Sequence, residues 1–409
     1  MATSLYSRIA SRASLYAGLL QGVAENPRYY RFVMRRGWYD KIVKQLAKHD
    51  LPAHKTFYPA KLDLRIMYAC NLRCKMCGQW GENGTYFEYG TPRLQRTLEL
   101  KTIERVVEQL APHGLQYVDI EGGEPFLHPH VIDLFRMLKS YGLLVKPVTN
   151  GTLLKQYAKE VVDCGLDAIH VSVDGDRDSH NMVRQATWAY DRTMEGLSAV
   201  STERRRAGRR TPLLVICFTM TRHNTAASLR KLCQQLHGKR LIDVLSIKAG
   251  PIWIPQHKGE AYDRLIERYF GRCALTSWRG FTEDYRDFHE GAREAAQTIR
   301  DLKAGHYDFF VHAVPSIPLE EVPKLYGDYE WNLGRPHCPI PYAEPTIDAD
   351  GNVYPCNLFT DEALSMGNIY EQPFLDIWFG KRYTTFRQML ADQGGLLPIC
   401  NRCCQLTEH

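Results

Sequence analysis

Between residues 61 and 250, short apolar runs alternate with longer stretches whose apolar side chains recur every three or four positions. The short runs, at residues 62–68, 116–121, 144–149, 168–173, 213–219 and 243–247, have the length of strands. Residues 100–110 and 130–141 carry the helical period. Repeated strand–helix alternation predicts an α/β fold with a parallel sheet, open or closed into a barrel. Such folds place their chemistry at the carboxyl ends of the strands. Residues 251–335 break the pattern with Pro and aromatic residues, among them Trp253, Trp278 and Trp331, and read as an irregular, partly helical region covering the site. Residues 336–409 form a compact Cys-containing tail. Within it, Asp350-Gly351 reads as the turn of a hairpin between 346–348 and 353–354.

Charge separates off a fourth region. Residues 1–60 carry ten Lys or Arg against three Asp or Glu, a net of +7, so the other 349 residues sum to −1. The segment reads as basic helices, with Arg28, Arg31 and Arg35 on one face. The simplest role is a solvated face beside the main domain; docking to an anionic surface or carrier is left open. Residues 1–24 contain no acid, as in organellar transit peptides, but the expectation is a basic helix of the mature chain. No secretory signal or membrane-length apolar run is visible, and the core is too neutral for a nucleic-acid surface. Twelve cysteines in tight groups suggest metal ligation in a reducing compartment, hence the cytoplasm, with peripheral membrane association left open.

The first group is Cys70-Asn-Leu-Arg-Cys74-Lys-Met-Cys77, placed directly after a strand. Three thiolates can hold three corners of a cubane cluster and leave the fourth iron open to a reactant. The motif alone also allows a zinc site completed by a distant His or Cys. Later strand ends add Glu121-Gly122-Gly123-Glu124-Pro125, Thr149-Asn150-Gly151 and Ser172-Val173-Asp174-Gly175, with Arg184 downstream. A Gly-Gly pair lets backbone approach a ligand closely, and its carbonyls can accept from an ammonium group. Core packing would not choose such residues at four successive strand ends.

These residues resemble the radical S-adenosylmethionine (SAM) superfamily. The resemblance implies a partial (β/α)6 parallel barrel over residues 61–250. It implies a catalytic [4Fe–4S] cluster on Cys70, Cys74 and Cys77, with SAM chelating the open iron. Gly122, Gly123 and Glu124 match the motif for the SAM amino group, Asn150 a ribose-side position, and Ser172 and Arg184 the carboxylate contacts. Met76 stands where many members carry an aromatic residue. In the tail, Cys338, Cys356, Cys400 and Cys403 suffice for one complete cluster. This arrangement resembles the SPASM/twitch auxiliary-cluster domains, with one auxiliary [4Fe–4S] cluster implied and Cys404 as an alternative last ligand.

The family implies reductive SAM cleavage to a 5′-deoxyadenosyl radical, hydrogen abstraction from a substrate, and an external reductant such as flavodoxin or ferredoxin. The leading expectation is dehydrogenation or epimerisation of a small hydroxylated molecule, a sugar, cyclitol or nucleoside. A peptide-modifying maturase and a lipid-linked substrate are the alternatives. Cys217 lies in the 213–219 strand, where alternation could point it into the barrel, and is the one candidate hydrogen donor. Cys164, Cys233 and Cys273 read as small apolar residues of helices.

Overall fold

The computed structural model describes residues 56–271, 276–358, 360–403 and 406. The basic segment up to residue 55, Cys273 and Cys404 lie outside them. The expected strands form as β1 (Lys61–Arg65), β2 (Tyr117–Glu121), β3 (Leu144–Thr149), β4 (Ala168–Ser172), β5 (Leu213–Thr219) and β6 (Val244–Lys248). A seventh, β7 (Phe310–Val314), comes from the stretch expected to be irregular, together with the helices Gln256–Phe270 and His289–Ala304. It escaped notice because it is short and lies at an edge, with Phe310 and His312 exposed, so its alternation is weak. The tail adds β8 (Thr346–Ile347) and β9 (Val353–Tyr354).

The nine strands run in the order β7-β6-β5-β4-β3-β2-β1-β8-β9. Every neighbouring pair is parallel except the β8–β9 hairpin. Since β7 and β9 are the two edges, the sheet curls into an unclosed barrel. The hairpin turns at Asp350-Gly351, where the Asp348 carboxylate accepts from the Asp350 and Asn352 amides at 3.0 and 2.9 Å and Gly351 takes φ +82°. Among the described residues no helix is long and apolar enough to cross a membrane.

Each barrel strand has two unlike faces. Leu62, Leu64, Val118, Ile120, Ile169, Val171, Leu214, Ile216, Leu245 and Ile247 point to the helices and share their core. The helix Leu100–Leu110 answers with Ile103, Val106, Val107 and Leu110, one stripe at helical spacing. Each such side chain contributes roughly 1.5–3 kcal/mol of burial. The alternate residues face inward, and many are polar: Asp119, Glu121, Lys146, His170, Ser172, Cys217, Thr219, Ser246 and Lys248 line a cavity of about 650 Å³. A parallel sheet covered on both faces ordinarily reads as continuous apolar runs. The polar inner face therefore marks the barrel interior as a site.

Buried charge joins β1 to the tail. Lys61 Nζ lies 2.8 Å from Glu344, 3.2 Å from Asp63 and 3.2 Å from Asp119, which also meets Lys146 at 3.0 Å. Burial raises Asp63 to about 8; Lys61 opposes this, while Asp119, Glu344 and Glu121 reinforce it. Burial also works against ionised Asp119, but Lys146 and Lys61 override it and hold that carboxyl down at about 2.

Candidate active site

The cysteine loop leaves β1 and is stitched to two other strand ends. Gly123 N–H donates to Met67 O and Glu124 N–H to Ala69 O, both at 2.9 Å. A side chain at either glycine would strike this loop: a Cβ on Gly122 would sit 2.6 Å from Met67 O, and one on Gly123 2.1 Å from Ala69 O. The Gly-Gly pair thus lets the end of β2 touch the segment entering Cys70. Glu124 is fully buried, and its carboxylate accepts from Thr149 Oγ1 (2.6 Å), Asn150 N (2.8 Å) and Phe126 N (3.1 Å). With those acceptors engaged, Glu124 fastens β2 to β3. Asn150 in turn donates to Asn71 Oδ1 inside the cysteine motif at 2.8 Å.

The three thiols fit a thiolate-held cluster. Leu72 N–H donates to Cys70 Sγ at 3.4 Å and Trp80 N–H to Cys77 Sγ at 3.3 Å, bonds that favour ligating sulfur. Burial raises Cys70 to about 12. It raises Cys74 as well, opposed by the Arg184 guanidinium, whose Nη1 lies 3.5 Å from the sulfur. Arg184 is itself buried, pairs with Asp174 at 2.6 Å, and keeps its Nε without a hydrogen-bond partner. That orphaned donor beside Cys74 suits an anionic ligand group. Asn224, which sequence reasoning missed, donates to Asp174 Oδ1 at 2.8 Å and approaches Met76 Sδ at 3.6 Å.

Two cavities meet above this loop. One, of about 670 Å³, is lined by Met76, Cys77, Gln185 and Thr221. The other is the barrel interior. Thr219, Lys248, Phe281 and Leu358 line both. Phe281 packs so closely on the cysteine loop that a Cβ on Gly78 would lie 2.2 Å from its Cζ. Within the barrel, register aligns Ser172, Cys217, Ser246 and His312 as one row across β4 to β7. All four line the cavity, and Cys217 Sγ lies 3.5 Å from His170 Nδ1. The structure therefore brings Ser172 to the barrel row with Cys217, while Arg184, Asn150 and the glycines gather at the loop.

The tail cysteines form a second centre. The charges of Cys356 and Cys400 act on Cys338, and those of Cys400 and Cys403 act on Tyr329. Burial raises Cys338 well above the usual thiol range and Cys400 to about 12. Leu358 N–H donates to Cys356 Sγ at 3.4 Å. Just beyond, the Asp361 carboxylate accepts from Tyr262 OH and Ser277 N–H, both at 2.6 Å, tying the Cys356 loop to the cover. Arg65 reaches from β1 to Asn357 O and, at 2.9 Å, to Thr360 Oγ1. Among the described residues no three His, Cys, Asp or Glu side chains gather round a single metal ion.

Residues 64–220 match the Radical SAM superfamily, and residues 338–404 match SPASM, an iron–sulfur cluster-binding domain. The chain belongs to the radical SAM superfamily. Its two domains bring a catalytic and an auxiliary [4Fe–4S] cluster and SAM. This radical SAM enzyme is 24% identical over 358 residues to a tungsten-containing aldehyde ferredoxin oxidoreductase cofactor-modifying protein of Pyrococcus furiosus, covering 84% of this chain and 86% of that one. It is 25% identical over 352 residues to an AdoMet-dependent heme synthase of Methanosarcina barkeri, covering 84% and 88%. The match to a probable GTP 3′,8-cyclase of Pyrococcus abyssi, 29% identical, spans 30% of this chain and only 37% of that protein. Among solved structures, Streptococcus suis SuiB bound to S-adenosylmethionine superposes with TM-score 0.57 and 16% identity, covering 97% of this chain and 88% of that one.

Proposed function

We propose that this radical SAM enzyme acts on a small hydroxylated molecule held inside the barrel and returns hydrogen to it through Cys217, an epimerisation. The observation that carries the reading is the polar row Ser172, Cys217, Ser246 and His312 on the cavity wall. A volume of about 650 Å³ is that of a small-molecule site. Hydroxyl and imidazole groups in register suit a substrate bearing several hydroxyls. When bound, the catalytic cluster and SAM supply a carbon-centred radical that takes hydrogen from an unactivated C–H bond.

The chain's residues divide the remaining work. Cys70, Cys74 and Cys77 hold the catalytic cluster, and Cys338, Cys356, Cys400 and Cys403 the auxiliary one. Gly122 and Gly123 carbonyls, Asn150 and Arg184 position SAM, with Ser172 at the near end of the barrel row. Cys217 breaks its S–H bond and forms a C–H bond on the substrate radical. The sulfur then takes one electron from an external carrier of flavodoxin or ferredoxin type and one proton, for which His170 is the adjacent relay. The test is turnover in deuterated water. Deuterium at one inverted carbon, lost in Cys217→Ala, supports the reading. A two-electron-oxidised product free of deuterium selects dehydrogenation instead, and modification of a peptide only would overturn the small-molecule reading.

A further inference from the structure

The outer face of the cysteine loop has a charge pattern that the chemistry above does not use. Cys74 is 8% exposed, yet its neighbours Arg73 and Lys75 both stand in solvent. Lys75 N–H donates to Val183 O at 2.9 Å, so the loop lies flat against the helix Arg177–Arg184. Lys75 Nζ lies 3.5 Å from the sulfur of Met182, itself 41% exposed. Trp188 packs on the other side against the Leu72–Cys74 cluster, and the exposed Arg192 guanidinium stacks 4.3 Å from its ring. Arg73 stacks 3.8 Å from Trp80.

Among the described residues none of these three cations has a carboxylate partner. Their neighbours do: Arg177 pairs with Asp191, and Lys155 with Glu195. The exposed acids Glu82 and Glu283 share a cavity rim with Lys75, and Glu283 is taken up by Arg222 at 3.2 Å. Outside the N-terminal segment the chain sums to −1, so three unpaired cations round an apolar centre are no reflection of overall composition. Such a pattern, an apolar patch ringed by unpaired charge of one sign, is that of a surface which steers and seats an oppositely charged protein. Only the thickness of the loop separates it from the Cys74 thiol.

We propose that this face, centred on Met182 and Trp188 and ringed by Arg73, Lys75 and Arg192, docks an acidic one-electron carrier protein. The inference rests on the proposed function, which requires such a donor. In the exchange the carrier loses one electron and the catalytic cluster gains it, with no bond made or broken.

The test uses the full chain with both clusters and a flavodoxin, an acidic FMN protein. Binding is measured by anisotropy of the labelled flavodoxin at 50 and 200 mM salt, about the range over which such charge contacts are screened. Wild type should bind more weakly at high salt. Met182→Asp with Arg192→Glu should weaken low-salt binding by about tenfold or more and flatten the salt dependence. Formation of 5′-deoxyadenosine driven by dithionite should stay within about twofold of wild type, since neither residue touches a thiol or an assigned SAM contact. Unchanged binding in the variant overturns the proposal, as does equal loss of the dithionite-driven reaction. Failure of the proposed function shows elsewhere: turnover in deuterated water would then place no deuterium at an inverted carbon, while the binding assay would still read the surface.

Discussion

The two cysteine centres are built from the same side chain and differ in how the chain delivers it. Cys70, Cys74 and Cys77 come from one eight-residue loop, and Cys77 opens on a cavity. Cys338, Cys356, Cys400 and Cys403 come from three separate stretches, and none lines the barrel interior or the cavity above the loop. A buried guanidinium stands beside Cys74. Tyrosines and other thiols surround the tail centre, with the buried Arg65 near Cys356 and the buried Arg402 opposing the charge of Cys400 and Cys403 at Tyr329. The difference teaches that the first centre is arranged for a reactant and the second for closure.

The sharpest way to break that comparison is to remove one thiol from each centre. Cys74→Ala should lower 5′-deoxyadenosine formation by about 10³-fold or more, because ligands that act as a unit fail together. Cys338→Ala should retain SAM cleavage within about tenfold while losing turned-over product. Equal losses, read by chromatography beside spectroscopic cluster counts, would erase the distinction. Next in size is Arg184→Ala, which strands Asp174 in the core. It should cost about 3–5 kcal/mol in denaturant unfolding, and Arg184→Lys less. Asp361→Asn weakens the bonds from Tyr262 and Ser277 that hold the tail centre to the cover. About 1–3 kcal/mol is expected, with the visible spectrum of the catalytic cluster unchanged.

The effect smallest per step of its variable concerns the junction between the two regions. Asp63 has a folded value of about 8 against 3.8 for the ordinary carboxyl, so its contribution is fully present below pH 4 and is lost as pH rises towards 8. Wild type should lose at most about 1.4 kcal/mol per pH unit across that window from this group, and Asp63→Asn should remove the slope. Matching pH profiles for the two proteins in urea unfolding would contradict the assignment.

How much of this was legible beforehand depended on the range of the forces involved. The strand at 213–219 and the helix at 100–110 formed at their expected bounds, since alternation and helical period are local signals. The loop cysteines and the residues that end β2, β3 and β4 were equally readable, because the motif and its strand lie side by side in sequence. Cys217 could be suspected of facing inward, but its partners could not be named. His170, Ser246 and His312 become its neighbours through register across four strands. Glu124 was expected near the ligand, and its carboxylate turned out to serve Thr149 and Asn150. Phe281, Asp361 and Arg65 carried no signal, since each matters through a contact at least 84 residues away in sequence.

The sequence by itself determined the fold class, the family, the cluster-binding residue types and the alternation that makes each barrel strand polar on one face. Only the tertiary structure decided which polar residues share a wall, which acceptors are already taken, and which cations are left unpaired round Cys74. The physical reason is that pattern and propensity act between near neighbours. Hydrogen-bond satisfaction and charge pairing are settled between groups that folding alone brings together.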